Sequence, residues 1–499
     1  MSILGLDIGT SGCKGAAYGI EGTTLAASYR EYATLHPQPG WAELDSRQVW
    51  TSIQEVIAEI ALQTTHDPIT ALSMSTMGEA MTPVSVDRKI LGNSILHTDI
   101  RGEATIAALE AAMGPEDFYR INPNILGPNY SLPKLKWLQE HQPELYRDTY
   151  KFLLWGDFVA FMLGCEPLTS YSHANRTLLF DIHAERWSDE ILSLTGIDAQ
   201  QLPTPVPSGT SAGIIAPRIA DKLHLSPGVQ VIVGGHDQCC NSLGSGVYEA
   251  GKAVCGIGTV ECIAPTYGTI PEAAHMLKNG LNVEHHVVPD LYVSFIYNQA
   301  GSLIRWFRDT FAAAEKRAFR DGDDLYARLT QEMPDEPTAL LTLPYFEPTG
   351  TPHFITDASG AVLGLKTTTT RGEILKSIME CETLYFVESM LTLKELGVDT
   401  SEFVATGGGA KSDAWLHIKA DVFGVPFMRP KVVEAGTLGA AMLAGMATGA
   451  FGTVQETVAC FVKPDKRFEP HPGRHAIYQE KYEKYRQLYP TLRHLLHVA

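Results

Sequence analysis

The sequence predicts an α/β protein of two mixed-sheet domains with a similar plan, and three observations point there. A chain of 499 residues is longer than one hydrophobic core serves and divides most simply in two. The segment Ile3-Leu4-Gly5-Leu6-Asp7-Ile8-Gly9-Thr10-Ser11-Gly12-Cys13-Lys14-Gly15 reads as strand, Gly-Thr turn and second strand. It returns in weaker form as Val254-Cys255-Gly256-Ile257-Gly258-Thr259-Val260-Glu261-Cys262. After each copy, strands alternate with helices. The period is too long for a solenoid, so a duplicated domain closing on a central cleft is expected, divided at 1–246 and 247–499.

The elements follow from the patterning in order. Residues 3–8 form a strand, 15–18 continue the hairpin and 25–33 give a third strand. Over 49–62, Trp50, Ile53, Val56, Ile57 and Ile60 share one stripe at helical spacing. Short strands are predicted at 69–75 and 81–86, and amphipathic helices at 135–140 and 157–162. The apolar strand 229–233 ends in Gly234-Gly235-His236-Asp237, ahead of a small-residue helix at 239–243. Helices are predicted at 302–319 and at 371–396, the latter with Ile374, Ile378, Cys381 and Leu384 inward. The strand 403–406 runs into Gly407-Gly408-Gly409, and a helix follows at 414–423. Past Ala450 the chain turns charged and aromatic and is expected to pack as a terminal helix.

Hydrophobic residues at 44% and charged residues at 19% are ordinary for a globular chain. The formal charge of −18 argues against nucleic acid or an anionic membrane as a partner. It does not argue against ATP, which brings Mg²⁺ and needs only a local electropositive pocket. The eight cysteines include no C-x-x-C pair and read as reduced thiols. A strand begins within three residues, without a charged n-region or an h-region, and no apolar run is long enough to span a bilayer. A cytoplasmic protein is expected, and a homodimer is open. Asn129-Tyr130-Ser131 and Asn175-Arg176-Thr177 match the glycosylation pattern, which has no weight without secretion.

The chemistry gathers at strand ends. Asp237 closes a buried strand inside a Gly-Gly-His-Asp turn, where open α/β sheets bind ligands. It is placed either to take a proton from a substrate hydroxyl or to cap the following helix. Asp7 stands beside a Gly-Thr turn whose amides can converge on phosphate, so it either helps hold Mg²⁺ or bonds its own turn. Lys14 meets phosphate or solvent. Gly407-Gly408-Gly409-Ala410-Lys411-Ser412 offers bare backbone to a flat ligand such as adenine, or is simply a glycine-rich turn. The run Glu434-Ala435-Gly436-Thr437-Leu438-Gly439-Ala440-Ala441 lets two elements pack closely. A P-loop of the G-x-x-x-x-G-K-[ST] type and a G-x-G-x-x-G after a strand are both absent.

Taken together, these segments resemble the FGGY family of carbohydrate kinases, within the actin-like ATPase superfamily. Asp7-Ile8-Gly9-Thr10-Ser11, Gly235-His236-Asp237-Gln238 and Gly407-Gly408-Gly409-Ala410-Lys411-Ser412-Asp413-Ala414-Trp415 occur in the family's order. Gly360-Ala361-Val362-Leu363-Gly364-Leu365 with Glu373-Ile374 and Ser377-Ile378-Met379-Glu380 matches its second signature. The first is Lys134-Leu135-Lys136-Trp137-Leu138-Gln139-Glu140-His141, with Asn129 a departure at its leading edge.

The resemblance implies two actin-like, ribonuclease H-like domains and an ATP-dependent phosphotransferase. It makes Asp237 the general base, and Asp7 with Asp237 the Mg²⁺ side. Thr10, Ser11, Lys14, Thr259, Gly408, Gly409 and Lys411 fall on the nucleotide side. Glu79, Asp99, Arg101, His236 and Asp237 fall on the sugar side. Xylulose kinases carry Met-His-Gly and glycerol kinases Arg-Glu where this chain has Met77-Gly78-Glu79, so it meets neither pattern. The Asp-x-Arg of Asp99 and Arg101 is kept, but Thr98 replaces the usual Trp. A ketose acceptor such as the pentulose xylulose is expected, with fuculose, gluconate, glycerol or another polyol, or a non-kinase actin-like ATPase, as alternatives.

Overall fold

The computed structural model describes residues 1–318, 324–357, 359–432 and 434–496. Among the described residues, two mixed sheets organise the chain. The first contains β1 (Ser2–Ile8), β2 (Gly12–Gly19), β3 (Thr24–Glu31), β4 (Ile69–Thr76), β5 (Ser211–Ile214) and β6 (Gln230–His236), in the order β5-β6-β4-β1-β2-β3. β1 runs antiparallel to β2 and parallel to β4, and β4 runs parallel to β6. This register sets Asp7 beside Ser75 and His236 beside Thr76, at the carboxyl ends of three parallel strands. Ligands bind at that edge of such sheets.

The second sheet repeats the plan. Its strands are β7 (Lys252–Ile257), β8 (Val260–Tyr267), β9 (Glu284–His285), β10 (Tyr292–Val293), β11 (Ile296–Gln299), β12 (Glu402–Thr406), β13 (Phe427–Pro430) and β14 (Pro464–Phe468). β8-β7-β12-β13 pair antiparallel, parallel, parallel, as β2-β1-β4-β6 do. The duplication inferred from two Gly-Thr turns is therefore a duplication of sheet topology.

Helix α1 (Ser46–Gln63) starts where the Asp45 side chain accepts from the amides of Arg47 and Gln48, and it buries Val49, Ile53, Val56, Ile57 and Ile60. Helix α2 (Asp237–Gly244) leaves β6 directly. The helix expected at 302–319 is instead α3 (Gly301–Phe311) and a separate turn of helix at Ala313–Ala318. Buried Ala312, at φ −131° and ψ 26°, leaves helical geometry and breaks it, and Phe319 lies outside the described residues. Helix α4 (Arg371–Glu395) opens on a capping box between Thr370 and Glu373 and buries Ile378, Cys381 and Leu384. Helix α5 (Asp413–Phe423) follows the glycine turn. Past Ala450 there is not one helix but Val454–Phe461, β14, Pro472–Tyr485 and Leu488–Leu496. Pro464 and Pro472 cannot continue a helix, which accounts for the breaks on either side of β14.

Helix α6 (Ala435–Ala447) crosses from the second half of the chain to the first sheet. Leu438, Ala441 and Met442 pack with Ile3, Ala16, Tyr18, Ala71 and Ile232 in one cluster. The contact is backbone on backbone. A Cβ added at Gly5 would lie 1.8 Å from the Thr437 carbonyl oxygen, and one at Gly439 would lie 1.9 Å from that of Cys240 on α2. Helix α6, from the portion 247–499, thus closes one face of the first sheet.

Candidate active site

Two cavities meet at the glycine turn. One of about 910 Å³ is lined by Asp7, Lys14, Asp237, Lys411, Arg429 and Gly436, among others. The other, of about 820 Å³, is lined by Thr259, Arg305, Tyr326, Gly409, Lys411 and Trp415, among others. Gly258, Gly408 and Lys411 border both. The first cavity thus draws on both sheets.

Asp237 is the first residue of α2, and the capping role falls to its neighbour. His236 Nδ1 accepts from the Gln238 amide at 3.3 Å. Burial, reinforced by Arg176, pushes the His236 imidazole down to about 3, so it is neutral and free to accept. The Asp237 carboxyl is 37% exposed, which leaves it open to a ligand. Burial lifts it to about 7, with the Asp7 and Glu79 charges adding to the effect. A carboxyl held there is half ionised at neutral pH, the condition for a general base.

Asp7 accepts from Ser75 Oγ at 2.8 Å. Burial raises its pKa against the pull of the Ser75 hydrogen bond and Lys14. The first turn of α6 abuts it, since a Cβ on Gly436 would lie 3.0 Å from the carboxyl. The amino ends of α2 and α6 therefore both border this cavity, and helix amino ends favour phosphate. Two carboxyls lining one cavity, with the Asp7 charge raising the pKa of Asp237, suit a divalent cation. Among the described residues no cluster of three or more acidic, histidine or cysteine ligands forms a cage. Mg²⁺ needs none, because it is held by one or two carboxylates with waters and phosphates. Asp7 and Asp237 fit it on that basis.

The nucleotide-side residues spread along both cavities. Gly407 adopts φ +82°, and an added Cβ there would lie 2.7 Å from the Ile257 carbonyl oxygen. At Gly408 an added Cβ meets nothing within 4 Å, so the backbone is bare to the cavity. Arg429 fastens this turn. It donates to the Ala410 carbonyl at 3.0 Å, Asp413 at 2.8 Å and Asp465 at 2.7 Å. Lys411 borders both cavities, and Thr259 Oγ1 accepts from Arg305 at 3.2 Å. Lys14 pairs with Glu434 at 3.0 Å, with both side chains nearly half exposed. Such a pair contributes about 0–1 kcal/mol and exchanges readily for a phosphate. Thr10 and Ser11 form the β1–β2 turn, where the Gly9 amide donates to Gly12, and line neither cavity.

The sugar-side candidates fall into two groups. Glu79 and His236 cluster with Arg176, whose Nε donates to Glu79 at 2.7 Å, and His236 stacks on Phe295 at 5.1 Å. Burial alone would raise the Glu79 carboxyl, but Arg176, His97 and His236 outweigh it and hold it at about 2. Asp99 and Arg101 form a separate buried knot. Asp99 accepts from the Ala42 and Arg101 amides and from the Arg101 side chain. Arg101 also reaches Glu43 at 2.8 Å and lies over Trp41 at 4.0 Å and Trp137 at 4.9 Å. Their polar atoms are committed to protein partners.

Arg176, Phe295 and Arg429 carry no local sequence signal. Arg176 is visible in the sequence only as the middle of a glycosylation-like triplet, and its partners are remote in the chain.

A strand-end carboxyl beside a second carboxyl and a bare glycine turn in one cleft suits phosphoryl transfer. Residues 2–244 match the FGGY family of carbohydrate kinases, N-terminal domain, and residues 253–448 its C-terminal domain. The chain belongs to the FGGY family of carbohydrate kinases and is a sugar kinase, with ATP as co-substrate and a small sugar as acceptor. It is 29% identical over 493 residues to the xylulose kinase of Bacillus subtilis (strain 168), covering 98% of this chain and 96% of that one. It is 30% identical over 502 residues to the glycerol kinase of Leptothrix cholodnii, covering 95% and 96%. A solved structure of a xyloylose kinase from Brucella ovis has a TM-score of 0.88 at 26% identity, covering 99% of this chain and 100% of that one. Among the described residues no helix is long and apolar enough to cross a membrane.

Proposed function

We propose that the protein phosphorylates a hydroxyl of a ketose, a pentulose of the xylulose type, using Mg²⁺ and ATP with Asp237 as general base. The observation that carries this is the Asp237 carboxyl, lifted to about 7 and open to the cavity it shares with Asp7 and the glycine turn. Asp237 takes the proton of the acceptor hydroxyl as that oxygen attacks the γ-phosphorus. The β–γ bridge breaks and ADP leaves. Asp7 and Asp237 would hold Mg²⁺, which when bound would supply charge neutralisation for the phosphates. Thr259, Gly408, Gly409 and Lys411 hold the nucleotide, and Lys14 turns from Glu434 to phosphate. Thr10 and Ser11 present the first Gly-Thr turn. Glu79 and His236 face the sugar. Asp99 and Arg101 support its pocket from behind. The division at 1–246 and 247–499 and a cytoplasmic site of action belong to the same reading.

The xylulose kinases among the relatives favour a pentulose. Gly78 does not decide it: a Cβ there would lie 2.6 Å from His236 and 2.9 Å from Arg176, which leaves no room for the arginine of glycerol kinases or the histidine of xylulose kinases. The retained Glu79 favours glycerol as a second reading. Purified protein with Mg-ATP and a panel of pentuloses, hexuloses, glycerol and gluconate tests both. The highest kcat/KM is expected on a pentulose. A higher value on glycerol refutes the first reading, and no ADP release with any acceptor refutes both.

A further inference from the structure

Arg176 sits between the two sheets. It follows the short helix Tyr171–Asn175, and its side chain is 14% exposed. Its Nε donates to Glu79 Oε1 at 2.7 Å, and Nη2 reaches the same oxygen. Its Nη1 donates to Glu284 Oε1 at 2.9 Å. Glu79 lies just past β4 in the first sheet, whereas Glu284 opens β9 at the edge of the second. The guanidinium lies over Tyr130 at 4.8 Å and Phe295 at 5.8 Å, and Phe295 stacks on His236. The Glu79 backbone is held through its carbonyl, which accepts from Ser131 Oγ at 2.7 Å, and the Glu284 carboxylate accepts from Asn282 at 3.0 Å.

Stability does not explain such a bridge, since buried ion pairs contribute no more than well-packed apolar groups of similar size. Its geometry points elsewhere. Both bonds to Glu79 fall on one oxygen, leaving Oε2 outside the ion pair on a side chain that is 10% exposed. The bridge thus fixes one edge of that carboxylate and aims the other. It also joins the carboxylate four residues beyond Ser75, the partner of Asp7, to a strand of the opposite sheet.

We propose that Arg176 is a positioning residue that couples acceptor recognition to engagement of the second sheet. It orients Glu79 toward the acceptor while holding Glu284, so the acceptor hydroxyl comes into register with Asp237 when both halves are joined. This rests on Glu79 facing the sugar, as proposed above.

Full-length Arg176→Met, Arg176→Lys and Glu284→Gln proteins test it, with sugar phosphate and ADP measured separately on the best pentulose of the panel. In Arg176→Met the acceptor KM is expected to rise about tenfold or more, while the ATP KM stays within about twofold. ADP released per sugar phosphate rises above one, because water takes the place of a poorly held acceptor. Arg176→Lys recovers part of the acceptor KM. Glu284→Gln, which keeps the shape, moves the ADP-to-product ratio in the same direction. The proposal is overturned if Arg176→Met lowers kcat/KM equally for ATP and acceptor with the ratio still at one. If that variant does not fold, Glu284→Gln decides alone, and a wild-type ratio and acceptor KM in it overturn the proposal. Failure of the underlying function shows separately, as unmodified protein that turns over no acceptor.

Discussion

Replacing Asp237 by Asn removes the proposed base and keeps its shape. Burial, with the charges of Asp7 and Glu79, lifts this carboxyl from 3.8 to about 7. Near pH 6 only about a tenth of it is ionised, so wild-type kcat/KM for the acceptor climbs about tenfold per pH unit below 7 and levels off above. In Asp237→Asn that limb disappears and kcat falls about 10²–10⁴-fold. Stability moves the other way. An acid with a raised pKa binds its proton more tightly when folded, so its contribution is lost as pH rises from near 4 through 7. A displacement of this size corresponds to roughly 4 kcal/mol in a wholly buried site. The side chain is 37% exposed, and screening reduces the figure to about 1–2 kcal/mol. At pH 8, without nucleotide or metal, Asp237→Asn is therefore expected to resist denaturant better than wild type by about that amount. Coupled ADP release and a circular-dichroism denaturant titration measure the two effects. A variant that loses activity and stability together, or that keeps the acid limb, refutes the assignment.

Adjacent glycines should respond differently to the same change. Gly407→Ala meets the Ile257 carbonyl at φ +82° and is expected to cost about 1–2 kcal/mol of stability, read by denaturation. Gly408→Ala meets nothing, so its stability is unchanged while its methyl intrudes on the nucleotide and raises the ATP KM several-fold. Lys14→Met loses an exposed ion pair and changes stability by less than about 1 kcal/mol, but it raises the ATP KM. Gly439→Ala sets a methyl against the Cys240 carbonyl on α2 and destabilises by about 1–3 kcal/mol or more, seen as an earlier urea midpoint.

The parts of this molecule legible in the sequence are those specified by neighbours in the chain. Asp7 and Thr259 announce their turns through adjacent glycines, and the α1 stripe announces its buried face. The small residues of 434–441 were readable as a close-packing surface, though not as one belonging to the first sheet. Arg176 was not readable, because its meaning lies in Glu79 and Glu284, about a hundred residues away on either side. The pairing of Lys14 with Glu434 spans 420 residues. The helix break at Ala312 has no local mark in the sequence, because alanine carries no signal for it. Asp99 and Arg101 matched a family pattern, but the sequence did not show that Ala42, Glu43, Trp41 and Trp137 surround them.

The crossing of α6 onto the first sheet also has a bearing on biosynthesis. Roughly 200 residues separate the end of β6 from the end of α6. At about 5–20 residues per second, the ribosome needs roughly 10–40 s to deliver that helix after the sheet itself is complete. Throughout that interval the face formed by Ile3, Ala16, Tyr18, Ala71 and Ile232 lacks its cover. The first half of the chain cannot finish as an independent unit during synthesis, and a gene cut at the boundary between the halves would yield two fragments that must find each other before either is sealed.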